Sequence, residues 1–261
     1  MAGLVSETTA VFSRWIRKTL RRPPFLFFSL VQPIIWFVLF TQAFSSIANI
    51  PSFSLMTGTS NYITFFSAAV VIQTVITSAM QSGMGIVQDI ESGYLDKMRV
   101  APIHRSAILL GKGMSDAVRM VIQVLVILGI GLALGVTIAT GVVGVLLLLL
   151  IAAGFGLAWS GISNAIALAT KNSELTLMIS LLTTFPLLFL STAMMPKAFL
   201  PGWVQTVATY NPVSYLADGL HSIIITGYDW TAIGYTFAVI VIVGAVTVSA
   251  ATMMFRRATS G

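Results

Sequence analysis

Apolar and polar positions along this chain alternate on the scale of whole helices. Six stretches, 25–44, 62–87, 114–136, 142–170, 175–195 and 230–255, are poor in charge, and each approaches or exceeds the ~20 residues a helix needs to cross a ~30 Å hydrocarbon core. Lipid offers no partner to a bare backbone, so helices that close their own hydrogen bonds are the economical way to cross it. The pattern predicts an all-α membrane protein with six transmembrane helices. Thr137 to Gly141 leave room only for a tight turn, which makes the third and fourth spans an antiparallel hairpin.

Three segments fit neither a span nor an ordinary loop. In residues 1–22, Leu4, Val5, Val11, Phe12, Trp15, Ile16 and Leu20 recur at helical spacing, with Arg14, Arg17, Lys18, Arg21 and Arg22 mostly on the other face. This predicts an interfacial helix on the membrane surface, stopped by Pro23-Pro24. In residues 86–99, Ile86, Ile90, Tyr94 and Met98 recur every fourth position opposite Asp89, Ser92, Asp96 and Lys97, so an amphipathic helix should extend the second span until Pro102 ends it. Such an element is either a solvated connector or a docking surface for a soluble partner. Residues 196–229 are too apolar for a solvated loop, and Pro196, Pro201 and Pro212 cut them into pieces too short to span. They predict an outer re-entrant helical hairpin or, alternatively, two amphipathic helices on the outer surface with Trp203, Tyr210, Tyr215 and Trp230 at the interface.

Composition agrees with the periodicity: 57% of the 261 residues are hydrophobic and 8% charged, against about a quarter charged in a soluble domain. There is no cysteine, hence neither a disulfide framework nor a thiolate metal site. A formal charge of +6 would suggest nucleic acid in a soluble protein. Here the basic residues cluster at span ends, so membrane lipid is the expected partner and nucleic acid is not. With the N-terminus inside, every Lys and Arg except Lys197 falls on or next to the cytoplasmic side, which predicts a multi-pass protein of the cell membrane with both termini cytoplasmic.

Candidate chemistry is sparse. The chain has no GxxxxGK[ST], HExxH or GxSxG, so neither nucleotide hydrolysis nor proteolysis is expected of it, and no catalytic residue, metal ligand or cofactor is assigned. Asp116 can pair with Arg119 at i, i+3. The remaining polar groups inside the spans are amides and hydroxyls, among them Gln73, Thr74, Thr77, Thr183 and Thr184. They serve either as interhelical hydrogen-bonding groups or as the lining of a path for an amphiphilic substrate. Asp218 and His221, also at i, i+3 in the outer segment, are the one pair on which an intramembrane lipid-modifying activity could rest; a membrane anchor without transport is a further alternative.

The order of parts resembles the permease subunit of type-2 ABC exporters, the family of bacterial drug-export and polysaccharide-export permeases, over essentially the whole chain. The resemblance rests on the basic helix before the first span, on the run from Asp89 through Glu91, Gly93, Leu95, Lys97, Arg99 and Pro102 to Arg105 and Lys112, and on Met195-Pro196, Leu200-Pro201-Gly202-Trp203 and Asn211-Pro212. It implies that 86–105 is a coupling helix docking into a separate ABC-type ATPase subunit. Glu91 and Arg99 would be polar contacts, Leu95 an apolar anchor, Gly93 and Pro102 shapers of the helix and its exit, and Arg105 a further member of the motif. It also implies two permease subunits, identical or paired, with ATP and magnesium held by the ATPase, and a substrate path involving the second and fifth spans near Gln73, Thr74 and Thr77.

Overall fold

The computed structural model describes residues 3–21, 23–94 and 104–259. Among these are ten α-helices and no strand: α1 Leu4–Leu20, α2 Pro23–Ala43, α3 Pro51–Thr57, α4 Tyr62–Glu91, α5 Arg105–Ala133, α6 Gly141–Thr170, α7 Ser173–Phe189, α8 Gly202–Tyr210, α9 Pro212–His221 and α10 Trp230–Thr259. Local chemistry sets many of the starts. Asn61, Asn172 and Asn211 cap α4, α7 and α9 by accepting from the backbone N–H of Ile63, Leu175 and Val213 at 2.9–3.0 Å. Proline takes the first position of α2, α3 and α9, where its missing N–H costs nothing.

Among the described residues, four segments, Tyr62–Glu91, Ala107–Ala133, Gly141–Thr170 and Trp230–Phe255, are long and apolar enough to cross a bilayer. The central one is α4, which packs against α2, α5, α6, α7 and α9. Its most apolar stretch is 89% buried, against 6% for α10, which packs on α6 and α9 at the rim of the bundle. Glycines let α6 close in on α4 and α10 on α6. A Cβ on Gly83 would run into the backbone of Ser163 on α6, and the Ser163 hydroxyl donates across that contact to the Met80 carbonyl at 2.7 Å. Gly161 takes Thr247 of α10 in the same way.

Three boundaries differ from those the apolar pattern predicts. The helix expected over 114–136 begins at Arg105, more than two turns earlier, which carries Lys112 and Asp116 into the body of α5. The span expected over 175–195 is helical only to Phe189, and 17 residues reach ~25 Å, short of the hydrocarbon thickness. Pro186 lies in its last turn, and the Asn211 amide takes the Leu187 and Leu190 carbonyls at 2.6 and 2.9 Å, so side-chain bonds replace the missing turn. The amphipathic helix expected over 86–99 is not continuous: α4 stops at Glu91, and Gly93 adopts φ +66°, a left-handed conformation that ends a helix.

At the α4 end opposite Glu91, α9 and the π-helical turn Ser222–Thr226 that continues it lie buried against α4 and α10. Thr236 donates to the Tyr215 carbonyl at 2.7 Å, and Ala139 in the α5–α6 link donates to the Ile224 carbonyl at 2.9 Å. The apolar content of 196–229 is thus used in packing. By contrast, α8 leaves Trp203 and Tyr210 exposed.

Candidate functional site at the junction of α1, α4 and α5

Where α4 ends and α5 begins, α1 packs along α5, and Gly111 makes the approach possible: a Cβ there would sit 2.8 Å from the Thr8 carbonyl and 2.8 Å from Val11. The apolar stripe of α1 that the sequence turns toward lipid is therefore partly spent on protein. Val11 and Trp15 are buried, while Leu4, Val5 and Leu20 remain exposed.

The basic stripe of α1 is equally engaged. Arg14 and Lys18 stand one turn apart on one face, and both reach Asp89 on α4. Arg14 makes a two-pronged contact at 2.9 and 3.1 Å and Lys18 a third bond at 2.8 Å. The Arg14 guanidinium also lies 3.4 Å over the Tyr94 ring, fixing the chain just beyond Gly93. At the other end of the 95–103 segment, Glu7 of α1 accepts from the His104 backbone N–H at 2.8 Å and meets its Nδ1 at 2.9 Å. The backbone N–H first, and the ring second, hold the Glu7 carboxyl below the usual carboxylate range. Both ends of the segment that links α4 to α5 are thus tied to α1.

A second charged layer lies deeper. Lys112, Asp116 and Arg119 recur at i, i+4 and i+7 on one face of α5, and Asp116 stands ~16 Å along the helix from Arg105. Asp116 accepts from Lys112 at 2.6 Å, from the Ser82 hydroxyl of α4 at 2.6 Å and from Arg119 at 3.2 Å. Arg119 also donates to the Ser78 carbonyl at 2.9 Å, and the Asn164 amide of α6 lies 3.0 Å from the Ser82 hydroxyl. All three charged side chains are under 10% exposed. The anticipated Asp116–Arg119 pair is present, but Lys112 is the nearer cation.

Two cavities flank this layer. One, of ~50 Å³, lies between α1, α4 and α5 and is lined by Trp15, Lys18, Gln81, Ser82, Lys112 and Arg119 among others. The other, of ~440 Å³, lies between α5, α6 and α10; its walls include Leu110, Leu157, Val248 and Phe255, with Lys112 and Asn164 as polar members.

The residues singled out from the sequence are dispersed. Glu91 is exposed at the end of α4 with no partner among the described residues, and Gly93 follows it in the left-handed turn. Leu95, Arg99 and Pro102 lie outside the described residues; Arg105 opens α5, its side chain also outside them. Gln73 and Thr74 are buried within α4, Thr74 donating to its own helix at Val70 (2.7 Å), while Thr77 is half-buried. On α7, Thr184 is buried and accepts from Trp159 Nε1 at 3.2 Å, whereas Thr183 is exposed and bonds its own helix. None of these five lines either cavity. Asp218 and His221 are not joined: Asp218 accepts from Thr192 at 3.0 Å, and His221 stacks on Phe65 with its Nε2 3.2 Å from the Phe65 carbonyl. Among the described residues, no group of His, Asp and Glu could hold a metal ion. Trp15, Ser82 and Asn164 were not foreseen as site residues, because helical spacing along one segment does not report which helix faces it.

Comparison with known proteins adds an independent observation. Residues 6–225 match the family model described as ABC-2 type transporter. The chain is 30% identical to the transport permease ycf38 of Pyropia yezoensis over 245 residues, covering 92% of this chain and 79% of that one. It is 29% identical to the daunorubicin resistance ABC transporter permease protein DrrB1 of Streptomyces coeruleorubidus, over 72% of this chain and 64% of the relative. With the doxorubicin resistance ABC transporter permease protein DrrC of Mycobacterium tuberculosis it shares 23% identity, over 82% and 74%.

Proposed function

Because the chain belongs to the ABC-2 type transporter family, we propose that it is the membrane-spanning subunit of an ATP-driven exporter, crossing the membrane six times with both termini cytoplasmic. A separate ABC-type ATPase would bind ATP and magnesium and dock on the segment 86–105, with Glu91, Gly93, Leu95, Arg99, Pro102 and Arg105 at or beside the contact. A second permease subunit, identical or paired, would complete the translocation path. In this reading α8 and α9 form the re-entrant hairpin that closes the path on the outer side. Gln73, Thr74, Thr77, Thr183 and Thr184 then lie near the path; of these, Thr183 is exposed in the single chain, where a subunit interface would cover it.

The observation that carries the reading is the clamping of the α4–α5 segment. Arg14 and Lys18 hold its beginning through Asp89, Glu7 holds its end through His104, and Glu91 is left exposed between them. A segment fixed at both ends to the helices of the bundle transmits a push as a rigid-body movement; a slack one would absorb it. The buried Lys112–Asp116–Arg119 layer stiffens the same junction. The cargo we propose is an amphiphile, a drug, lipid or lipid-linked sugar, because the larger cavity is mostly apolar with a few polar groups, Lys112, Ser160, Asn164 and Thr252, among its lining.

The test is purification of the detergent-solubilised chain from its native membranes, comparing wild type with Glu91→Ala combined with Leu95→Ala. Wild type should bring down ATP-hydrolysing activity, and the double variant should lose at least nine-tenths of it while eluting as a folded protein. Retention of ATPase by the variant would move the docking site elsewhere; a folded wild type that recovers none would remove the energy source.

A further inference from the structure

The smaller cavity at the α1–α4–α5 junction has the chemistry of an anion site. Three cations, Lys18, Lys112 and Arg119, line it together with one carboxylate, Asp116, and the Arg14–Asp89 pair adjoins it through Lys18, leaving a net charge of +2 at a buried or half-buried location. Trp15 is at the centre. Its ring has the Lys18 and Lys112 ammonium groups 4.5 and 4.9 Å from its centroid, and the Arg14 guanidinium at 5.3 Å. Unlike these cations, the indole of Trp15, a residue 8% exposed, has no hydrogen-bond partner for its Nε1 among the described residues. Nε of Arg119, an equally buried residue that also lines the cavity, is likewise without an acceptor among the described residues. Two idle donors on residues lining one positively charged cavity call for an acceptor, since buried donors are otherwise satisfied. Among the described residues, the Gln81 side-chain oxygen is the one idle acceptor buried there.

We propose that this cavity seats the phosphate of an anionic membrane lipid headgroup, with Trp15 Nε1 and Arg119 Nε as donors and Lys18 and Lys112 as counter-charges. A volume of ~50 Å³ admits a group of a few heavy atoms, where a single water needs about 10–15 Å³, so a phosphate enters but a folded ligand does not. Lipid is the favoured source because of the position of α1. Its exposed Leu4, Val5 and Leu20, together with the exposed Arg17 and Arg21, are what an amphipathic helix presents to an anionic bilayer surface, and Lys18 at the cavity margin belongs to the same helix. The inference does not rest on the transport reading: a headgroup seat would fix α1 to the inner leaflet whatever the chain carries.

The test uses the full chain in a delipidated detergent micelle, with thermal unfolding and native mass spectrometry as readouts. Dioleoylphosphatidylglycerol should raise Tm by several degrees and appear as one retained adduct. Dioleoylglycerol, which has the same tails and no phosphate, should do neither, and inorganic phosphate at millimolar concentration should do much less. Trp15→Phe keeps the ring and removes the donor. It should unfold at or above the wild-type temperature without lipid, since an unpaired buried N–H has been removed, and it should bind phosphatidylglycerol about tenfold more weakly. Lys18→Gln provides a second variant outside the buried layer and should weaken binding in the same direction. Equal stabilisation by dioleoylglycerol would overturn the proposal, as would an undiminished phosphatidylglycerol effect in Trp15→Phe. Full stabilisation by inorganic phosphate alone would overturn the lipid source, and no response to any of the three would leave the cavity to water.

Discussion

Asp116→Asn preserves the shape of a buried side chain while removing the carboxylate on which Lys112, Arg119 and Ser82 converge at 2.6–3.2 Å. Because all three charged side chains are under 10% exposed, solvent cannot take over the lost compensation, and two cations are left facing each other in a low-dielectric interior. Breaking a buried pair by removing one partner costs about 3–5 kcal/mol. On the scale of a chain this size that is roughly a 6–20 °C fall in Tm. The double replacement Lys112→Met with Asp116→Leu removes one charge of each sign and leaves the local net charge unchanged, so it should cost at least ~2 kcal/mol less than Asp116→Asn alone. Thermal unfolding of the three proteins in one detergent, followed by intrinsic fluorescence, gives the comparison. A shift under ~2 °C for Asp116→Asn, or a double variant as destabilised as the single one, would mean that the layer is hydrated and does not hold the junction together.

Other consequences follow from single contacts. Gly111→Val should destabilise by about 1–3 kcal/mol through overpacking against Thr8 and Val11 and loosen α1, whereas Gly113→Ala, whose new Cβ would meet only Leu157 at 3.4 Å, should be close to neutral; Tm and protease cleavage within residues 1–21 separate the two. Asn211→Leu removes three hydrogen bonds, to Leu187, Leu190 and Val213, and should cost about 3 kcal/mol at roughly 1 kcal/mol each, read as a lower Tm. The Glu7 carboxyl is held below its ordinary value of 4.5, so its contribution is present in full above that pH and is lost as pH falls through the lower folded value. The Tm difference between wild type and Glu7→Gln should therefore not shrink from pH 8 to 5, and should shrink below 4.5.

Much of the fold was legible because lipid imposes few solutions. The apolar runs at 62–87 and 142–170 correspond to α4 and α6 within a few residues, and Thr137 to Thr140 lie in the link between α5 and α6, with Gly141 opening α6. What was not legible depends on neighbours. Nothing in the run after Met114 tells that α5 starts at Arg105, since Lys112 looks like part of a polar loop until Asp116 one turn on and Ser82 from α4 complete it. The end of α7 at Phe189 depends on Asn211, over twenty residues away, taking carbonyls that Pro186 and the irregular stretch leave open. Trp15 sits on an amphipathic stripe that spacing alone turns toward lipid; the glycines at 85 and 111 on facing helices give that face a protein surface to pack on. The same reason explains why Asp218 and His221, correctly spaced on one helix, form no pair: Thr192 and Phe65 reach them first.

The claim that the α4–α5 segment receives the force of a separate ATPase can be tested where that contact would begin. A photoreactive amino acid in place of Glu91, exposed at the end of α4, should on irradiation of native membranes cross-link to a chain that carries a nucleotide-hydrolysis motif, and the yield should change when ATP is added. The same photoreactive group in place of Asp229, at the opposite end of the bundle, should give no such product. Cross-linking at position 91 confined to lipid or to the chain itself, with the ATPase captured from position 229 or from neither, would contradict the account.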